Sequence, residues 1–494
     1  MSTVTSSPPT FARGPVLAAM GTQAVVLLAL APRYGYHRDE LYFRMLPPAW
    51  GYLDQPPLTP LLVHAATRVL GDTVWALRLP AVLMAVVAVW LVARLTREVG
   101  GDRTAQALAA WGYAFAAFPL VFGHSLLTNS LDTVFWLAVM LCVVRALMRD
   151  EGRWWLLAGA LTGLAFANKL LIVILLASLA AGLLLVGHRR VVVSRPVLAG
   201  VGIAALVGLP TIVYQATHGF PQLTFGAALS EHNGGEVRIV MWPMLLLMLG
   251  PPLAPVWVAG LVALWRRREW APVRFLVPAF VVLVIICFAM GSQPTYAFPM
   301  VATLFAIGCV PTVDWWRGRA WRPGFVGGLV ALNAAISLVI ALPVIPVAML
   351  GRTPVPGINQ AARDSVGWPT YVRQVADVYA ALPPDQRGRA VLFATNYGEA
   401  GALERFGPDY ALPPVFSGHN QLADEGRPPE GRDIAIVVGA EYDWTRQFFE
   451  SCRVRGRLDN GVAVANEEQG MPIGVCTGPI GGWAAVWPQL SHMS

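Results

Sequence analysis

Long apolar runs recur along the first 350 residues of this chain. They fall at about 14–31, 74–93, 105–123, 131–148, 154–168, 170–187, 197–216, 239–265, 273–290, 297–313 and 325–349. An α-helix needs about 20 apolar residues to cross the hydrocarbon core of a bilayer. Backbone amides in that core must find partners within their own segment, which favours helices in a chain patterned this way. The expected fold is therefore an all-α polytopic membrane bundle of about eleven transmembrane helices. The fifth and sixth runs are short, and read either as one re-entrant pair or as two thin helices. The first could be a signal peptide, but the many later runs favour a retained helix. Composition agrees, since 56% of the 494 residues are hydrophobic and only 13% are charged, against about 25% in a soluble domain.

The formal net charge of +7 invites a nucleic-acid reading. Dividing the chain removes it. Residues 1–350 hold 24 Lys+Arg and 13 Asp+Glu, whereas residues 351–494 hold 12 and 16. The positive charge thus belongs to the apolar part, and there it alternates. Arg94, Arg97 and Arg103 lie between runs two and three, and Arg145, Arg149 and Arg153 between four and five. Arg189, Arg190 and Arg195 follow six, Arg266, Arg267, Arg268 and Arg274 follow eight, and Arg317, Arg319 and Arg322 follow ten. Every second loop is basic, which by the positive-inside rule places the N-terminus in the cytoplasm. An odd number of spans then puts residues 351–494 outside.

Three substantial pieces are expected on that outer side: the loop 32–73, the loop 217–238 with His218, Glu231, His232 and Glu236, and the tail 351–494. The tail reads as a small α/β domain, separate from a membrane domain at 1–350. Ala390–Thr395 and Asp433–Val438 have the pattern of buried strands, and Tyr442–Ser451 reads as a helix. Asp459-Asn-Gly461 signals a hairpin. The five cysteines contain no C-x-x-C pair. Cys452 and Cys476 could pair in an oxidising exterior.

Three places carry residue types suited to chemistry. The first is Tyr34-Gly-Tyr-His-Arg-Asp-Glu-Leu-Tyr-Phe43, where Asp39 and Glu40 stand soon after the first run, beside His37 and Arg38. A carboxylate in a partly dry cleft can take a proton from a hydroxyl; the plainer reading is a pair of solvated loop charges. The second is Asp132, at the outer start of the fourth span, where an acid also suits a helix N-terminus. The third is Lys169, the one lysine beside 35 arginines, inside Phe166-Ala-Asn-Lys-Leu-Leu-Ile172. A charge at membrane depth faces a cavity or a partner by default, and an ammonium point charge suits a phosphate. The alternative is a lysine that snorkels to water at the end of a helix. His37, His64, His124, His218 and His232 fall on or near the outer side, but no ligand spacing supports a zinc site. There is no Gly-x-Ser-x-Gly elbow, P-loop or dinucleotide fingerprint.

Taken in order, Asp39-Glu40, Gly51-Tyr-Leu-Asp-Gln-Pro-Pro-Leu58, Arg78-Leu-Pro80, Asp132, Asn168-Lys169 and Pro294-Thr-Tyr-Ala-Phe-Pro299 resemble the family 39 membrane glycosyltransferases. These are of the protein O-mannosyltransferase and aminoarabinose transferase type, and the tail is similar to external domains of actinobacterial relatives. The resemblance covers about residues 14–313. It implies a cell-envelope enzyme that moves a sugar, with mannose favoured, from a polyprenyl phosphate to an acceptor hydroxyl on the outer face of the membrane, with inversion. The acceptor could be a glycan, a lipid, a protein or a secreted metabolite. In that reading Asp39 is the catalytic base and Glu40 its acidic neighbour, Asp132 is the second external acid, and Lys169 and Tyr296 meet the donor phosphate. His37, Arg38 and Gln55 are further candidate substrate contacts.

The chain departs from the family pattern at two points. Gln55 stands where relatives often have Lys or His before Pro-Pro-Leu, and Ser292-Gln293 precede Pro294 where a relative can carry Lys. Arg38 and Arg44 are the candidates to make up the charge. Phosphate is already a good leaving group, so no cofactor is required; a divalent metal is not indicated. The competing class is a polytopic transporter or lipid flippase. Against it, no internal repeat with paired broken helices is visible.

Overall fold

The computed structural model describes residues 8–493, leaving out the side chains of His232, Asn233 and Glu236, so the loop histidine and acid expected at 232 and 236 lie outside the described residues. The chain divides into two compact units. The first runs to Ala31, takes in Gln55–Thr59 and continues over Arg78–Leu342. The second is built from Pro32–Asp54, Pro60–Leu77 and Pro343–Ser494.

The first unit is helical throughout, as its apolar runs demand. Among the described residues six helices are long and apolar enough to cross a membrane: Arg13–Leu30, Val74–Glu98, Thr128–Arg149, Arg268–Ala289, Pro294–Trp316 and Arg322–Ala341. Three further pairs pass only together and are sharply bent: Arg103–Ala114 with Ala117–His124, Arg195–Val207 with Leu209–Thr217, and Val237–Leu247 with Pro251–Arg266. Counting each pair as one span gives nine, where eleven were expected. The difference lies in runs five and six. They fold as helices Arg153–Phe166 and Ile172–Leu185 of 14 residues each, about 21 Å long at 1.5 Å per residue, short of a hydrocarbon core of about 30 Å. The protein is a multi-pass membrane protein whose broken helices are part of its design.

The breaks have local causes. At the third bent pair, Gly250 adopts φ +100° ahead of Pro251 and Pro252, and a Cβ there would meet Asn333 Oδ1 at 1.9 Å. Asn333 Nδ2 donates to the carbonyl of Leu249 at 2.8 Å, so the carbonyl left over by the break is put to use. Elsewhere small residues let helices touch. A Cβ on Gly308 would lie 1.9 Å from the carbonyl oxygen of Val256, which brings Ala254–Arg266 against Phe298–Trp316. The stretch 217–238, expected as a loop, is largely helical: Pro221–Leu247 is one helix of 27 residues, and Asn233-Gly-Gly235 does not interrupt it.

The second unit contains a five-stranded sheet ordered β2-β1-β3-β5-β4, with β1 (Ala390–Ala394), β2 (Val415–Phe416), β3 (Ile434–Val438), β4 (Phe449–Arg457) and β5 (Pro472–Pro479). β1 is parallel to β2 and β3, β5 runs antiparallel to β3, and β4 runs antiparallel to β5. β1 and β3 are buried along their whole length, which is why they read as unbroken apolar runs. The helix expected at 442–451 ends at Thr445, and after a single 3-10 turn the chain enters β4 at Phe449. Phe449 packs edge-on against Trp483 at 5.5 Å, and Cys452, opposite Cys476 in the β4–β5 register, is joined to it by a disulfide. Pairing with β5 and that link outweigh the local preference for helix. The same unit holds the short helix Arg38–Met45, packed on helix Tyr397–Phe406.

Candidate functional site

In the membrane unit the candidate residues gather where the short helices break. Helix Arg153–Phe166 stops after Phe166, and residues 167–171 turn before the next helix begins at Ile172. Asn168 and Lys169 sit in that turn, so their side chains are set by the break itself. Asn168 is fully buried. Its Nδ2 donates to Asp132 Oδ1 at 2.7 Å and to the Thr128 carbonyl at 3.0 Å. Its Oδ1 accepts from Thr59 Oγ1 at 2.7 Å. A buried amide with donors and acceptor all used fixes what it touches, and here it fixes Asp132 in the second turn of helix Thr128–Arg149.

Lys169 is half-buried. Its Nζ donates to Thr128 Oγ1 at 3.4 Å and lies 4.7 Å from the centre of the Tyr296 ring, a cation–π arrangement. Asp132 feels the attraction of the Lys169 charge. Tyr296 is supplied by the single 3-10 turn Pro294–Ala297. Three expected residues, Asp132, Lys169 and Tyr296, therefore share one polar cluster in this unit. Gln55 is buried, and its Nε2 meets no partner among the described residues. Arg78 is fully buried and donates to the Ala31 carbonyl at 2.6 Å and to His124 Nε2 at 3.0 Å.

In the second unit, helix Arg38–Met45 opens with a capping box. His37 Nδ1 accepts from the Asp39 amide at 3.1 Å, and Glu40 Oε2 accepts from the His37 amide at 2.8 Å. Glu40 is fully buried, so it closes the helix start, whereas the Asp39 side chain is 32% exposed. Asp39 Oδ1 accepts from the hydroxyl of Tyr397 at 3.0 Å. Arg38 and Arg44, the candidate extra cations, are both engaged with acids of their own unit. Arg38 pairs with Glu467 at 2.5 Å and lies 4.8 Å from the centre of the Tyr397 ring. Arg44 holds Asp72 Oδ1 at 2.8 Å and also pairs with Glu404.

Two contributors to these clusters were quoted within motifs and given no role. Asn168 is one. Asp54 is the other: burial pushes its carboxyl up to about 7, against the opposing hydrogen bond from Tyr42. Burial likewise raises Glu468 to about 7, opposed by the Arg38 charge. Both acids hold their proton more tightly folded than unfolded. The stability this confers is complete below about pH 4 and is lost as pH rises towards 7. The thermal midpoint of this unit is therefore expected to fall between pH 5 and pH 8, and Asp54→Asn to flatten the slope; a midpoint that rises over that interval would refute the assignment. Among the described residues no three His, Cys, Asp or Glu side chains gather to hold a metal ion. His64 Nε2 lies 2.5 Å from the Leu46 carbonyl, and the His218 ring stacks on Tyr214.

Residues 54–214 match a family model described as dolichyl-phosphate-mannose-protein mannosyltransferase. Over 310 residues the chain is 25% identical to an undecaprenyl phosphate-alpha-4-amino-4-deoxy-L-arabinose arabinosyl transferase 1 of Pseudomonas fluorescens (strain Pf0-1), covering 59% of this chain and 52% of that one. A second such transferase, from strain ATCC BAA-477 / NRRL B-23932 / Pf-5, is 25% identical over 397 residues, covering 76% and 65%. The chain thus spans about half to two thirds of the length of these relatives. In three dimensions it is similar to ArnT from Cupriavidus metallidurans bound to undecaprenyl phosphate, with a TM-score of 0.62, 15% identity, and coverage of 93% of this chain and 97% of the other. That likeness is one of fold.

Proposed function

We propose, from the premise that this chain belongs to a family of polytopic membrane glycosyltransferases, that it moves a sugar from a polyprenyl phosphate to an acceptor hydroxyl on the non-cytoplasmic face of the membrane. The observation that carries the reading is the cluster at the helix break. The Lys169 ammonium is held over the Tyr296 ring and beside Thr128, near an acid that Asn168 has fixed. An ammonium point charge suits a phosphate, and a phosphate borne on a lipid reaches an apolar unit through the bilayer.

In this reading Lys169 and Tyr296 receive the donor phosphate, and fixed positive charge stabilises it as it departs. Asp39 takes the proton of the acceptor hydroxyl, which attacks the anomeric carbon from the side opposite the phosphate. One base and one displacement give inversion; retention would need two paired steps. Asp132 helps to shape the acceptor side. Counting the two 14-residue helices as spans gives eleven, with the basic loops and the N-terminus in the cytoplasm and residues 351–494 outside. The Cys452–Cys476 disulfide supports that side for the tail, because such bonds persist in oxidising compartments.

Mannose, favoured from sequence, stands against the aminoarabinose in the relatives' names. The test is the purified full chain in detergent, offered undecaprenyl phosphate carrying labelled mannose or 4-amino-4-deoxyarabinose with envelope acceptors. No gradient exists there, so transfer separates an enzyme from a transporter. Absence of transfer from every lipid-linked sugar would remove the proposal.

A further inference from the structure

The short helix that bears Asp39 is braced by a residue 358 positions further along the chain. Tyr397 stands where β1 ends and helix Tyr397–Phe406 begins, and its hydroxyl donates to Asp39 Oδ1 at 3.0 Å. The ring is held from three sides. Tyr42 packs at 4.7 Å and His419 at 4.9 Å between ring centres, and the Arg38 guanidinium lies 4.8 Å from its centre. The start of the helix is held as well. Asn396 Oδ1 accepts from the Glu399 amide at 2.9 Å, Glu399 Oε2 accepts from the Asn396 amide at 3.2 Å, and His419 Nδ1 accepts from the Tyr397 amide at 3.3 Å. Burial pushes the Tyr397 phenol well above its usual range, so it carries its proton at neutral pH and is a donor.

Asp39 itself is a partly exposed aspartate with two soft side-chain torsions. A carboxylate in that position samples several rotamers, and a base that must meet one hydroxyl works only from some of them. Pinning one oxygen sets the direction of the other.

We propose that Tyr397 is a positioning residue for Asp39: its hydroxyl holds Oδ1 and leaves Oδ2 to face the acceptor proton. The proposal deepens the functional reading above and rests on Asp39 being the base. It also gives the tail a part in the chemistry, through a residue that need not touch substrate.

The experiment uses the full chain in detergent as wild type, Tyr397→Phe and Asp39→Asn, with thermal midpoints measured on the same samples. Tyr397→Phe keeps the ring contacts and removes the one hydroxyl. Its kcat is expected to fall about tenfold, with the KM for the lipid donor within about twofold, since the donor-binding groups are untouched. The midpoint is expected to stay within about 2 °C. An unchanged kcat overturns the proposal. So does a lost kcat accompanied by a large drop in midpoint, which would make Tyr397 a structural support. Asp39→Asn tells the two failures apart. If it transfers at the wild-type rate, the base itself is misassigned; if it is inactive while Tyr397→Phe is not impaired, only the positioning role falls.

Discussion

Asp39→Asn is expected to lower sugar transfer by at least about a hundredfold, the lower end of what a general base contributes. The substitution is close to isosteric. An asparagine oxygen can still accept the Tyr397 hydroxyl, and the Asp39 amide still donates to His37, so the helix cap stays in place. What is lost is a proton acceptor. The KM for the lipid donor should change little, because the groups assigned to the phosphate are elsewhere in the sequence. Labelled transfer measured over a range of donor concentrations checks this, and undiminished transfer would take Asp39 out of the mechanism.

Lys169→Ala is expected to act in the opposite way, raising the KM for the donor by about ten- to a hundredfold, the range of about 1.5–3 kcal/mol for a hydrogen bond to a charged group. The acceptor KM should move much less. Lys169→Arg is expected to restore part of the donor binding: it keeps the charge and the contact with the Tyr296 ring but replaces a compact ammonium by a planar fork. Asn168 still holds Asp132 in both variants, so collapse of the neighbouring acid does not mimic the result. A normal donor saturation curve for Lys169→Ala would count against the phosphate role.

The helices were legible in the sequence because apolarity over 20 residues is a local property. So were β1 and β3, whose buried runs are bounded by turns. β4 was missed because Phe449–Arg457 intersperses four arginine and glutamate side chains with apolar ones, and only its disulfide and its pairing with β5 make it a strand. The same division runs through the candidate site. Asp39, Asp132 and Lys169 stood out as charges in or beside apolar stretches. Asn168, next to Lys169, drew little notice, because its value depends on Asp132 and Thr59, which reach it from 36 and 109 positions away. Arg38 read as a spare cation because Glu467, its partner, lies 429 positions on. Tyr397 had no local signal at all.

That long separation bears on how the molecule is made. A ribosome adding about 5–20 residues per second needs roughly 20–90 seconds to travel from Arg38 to Glu467. During that interval the first loop has been synthesised and Glu467 has not. A product released early would contain every apolar helix and still leave the Asp39 helix unbraced. Bracing of the Asp39 helix thus waits until residue 467 has been made, and a copy that stops before it is expected to lose sugar transfer, which labelled transfer on a truncated chain checks.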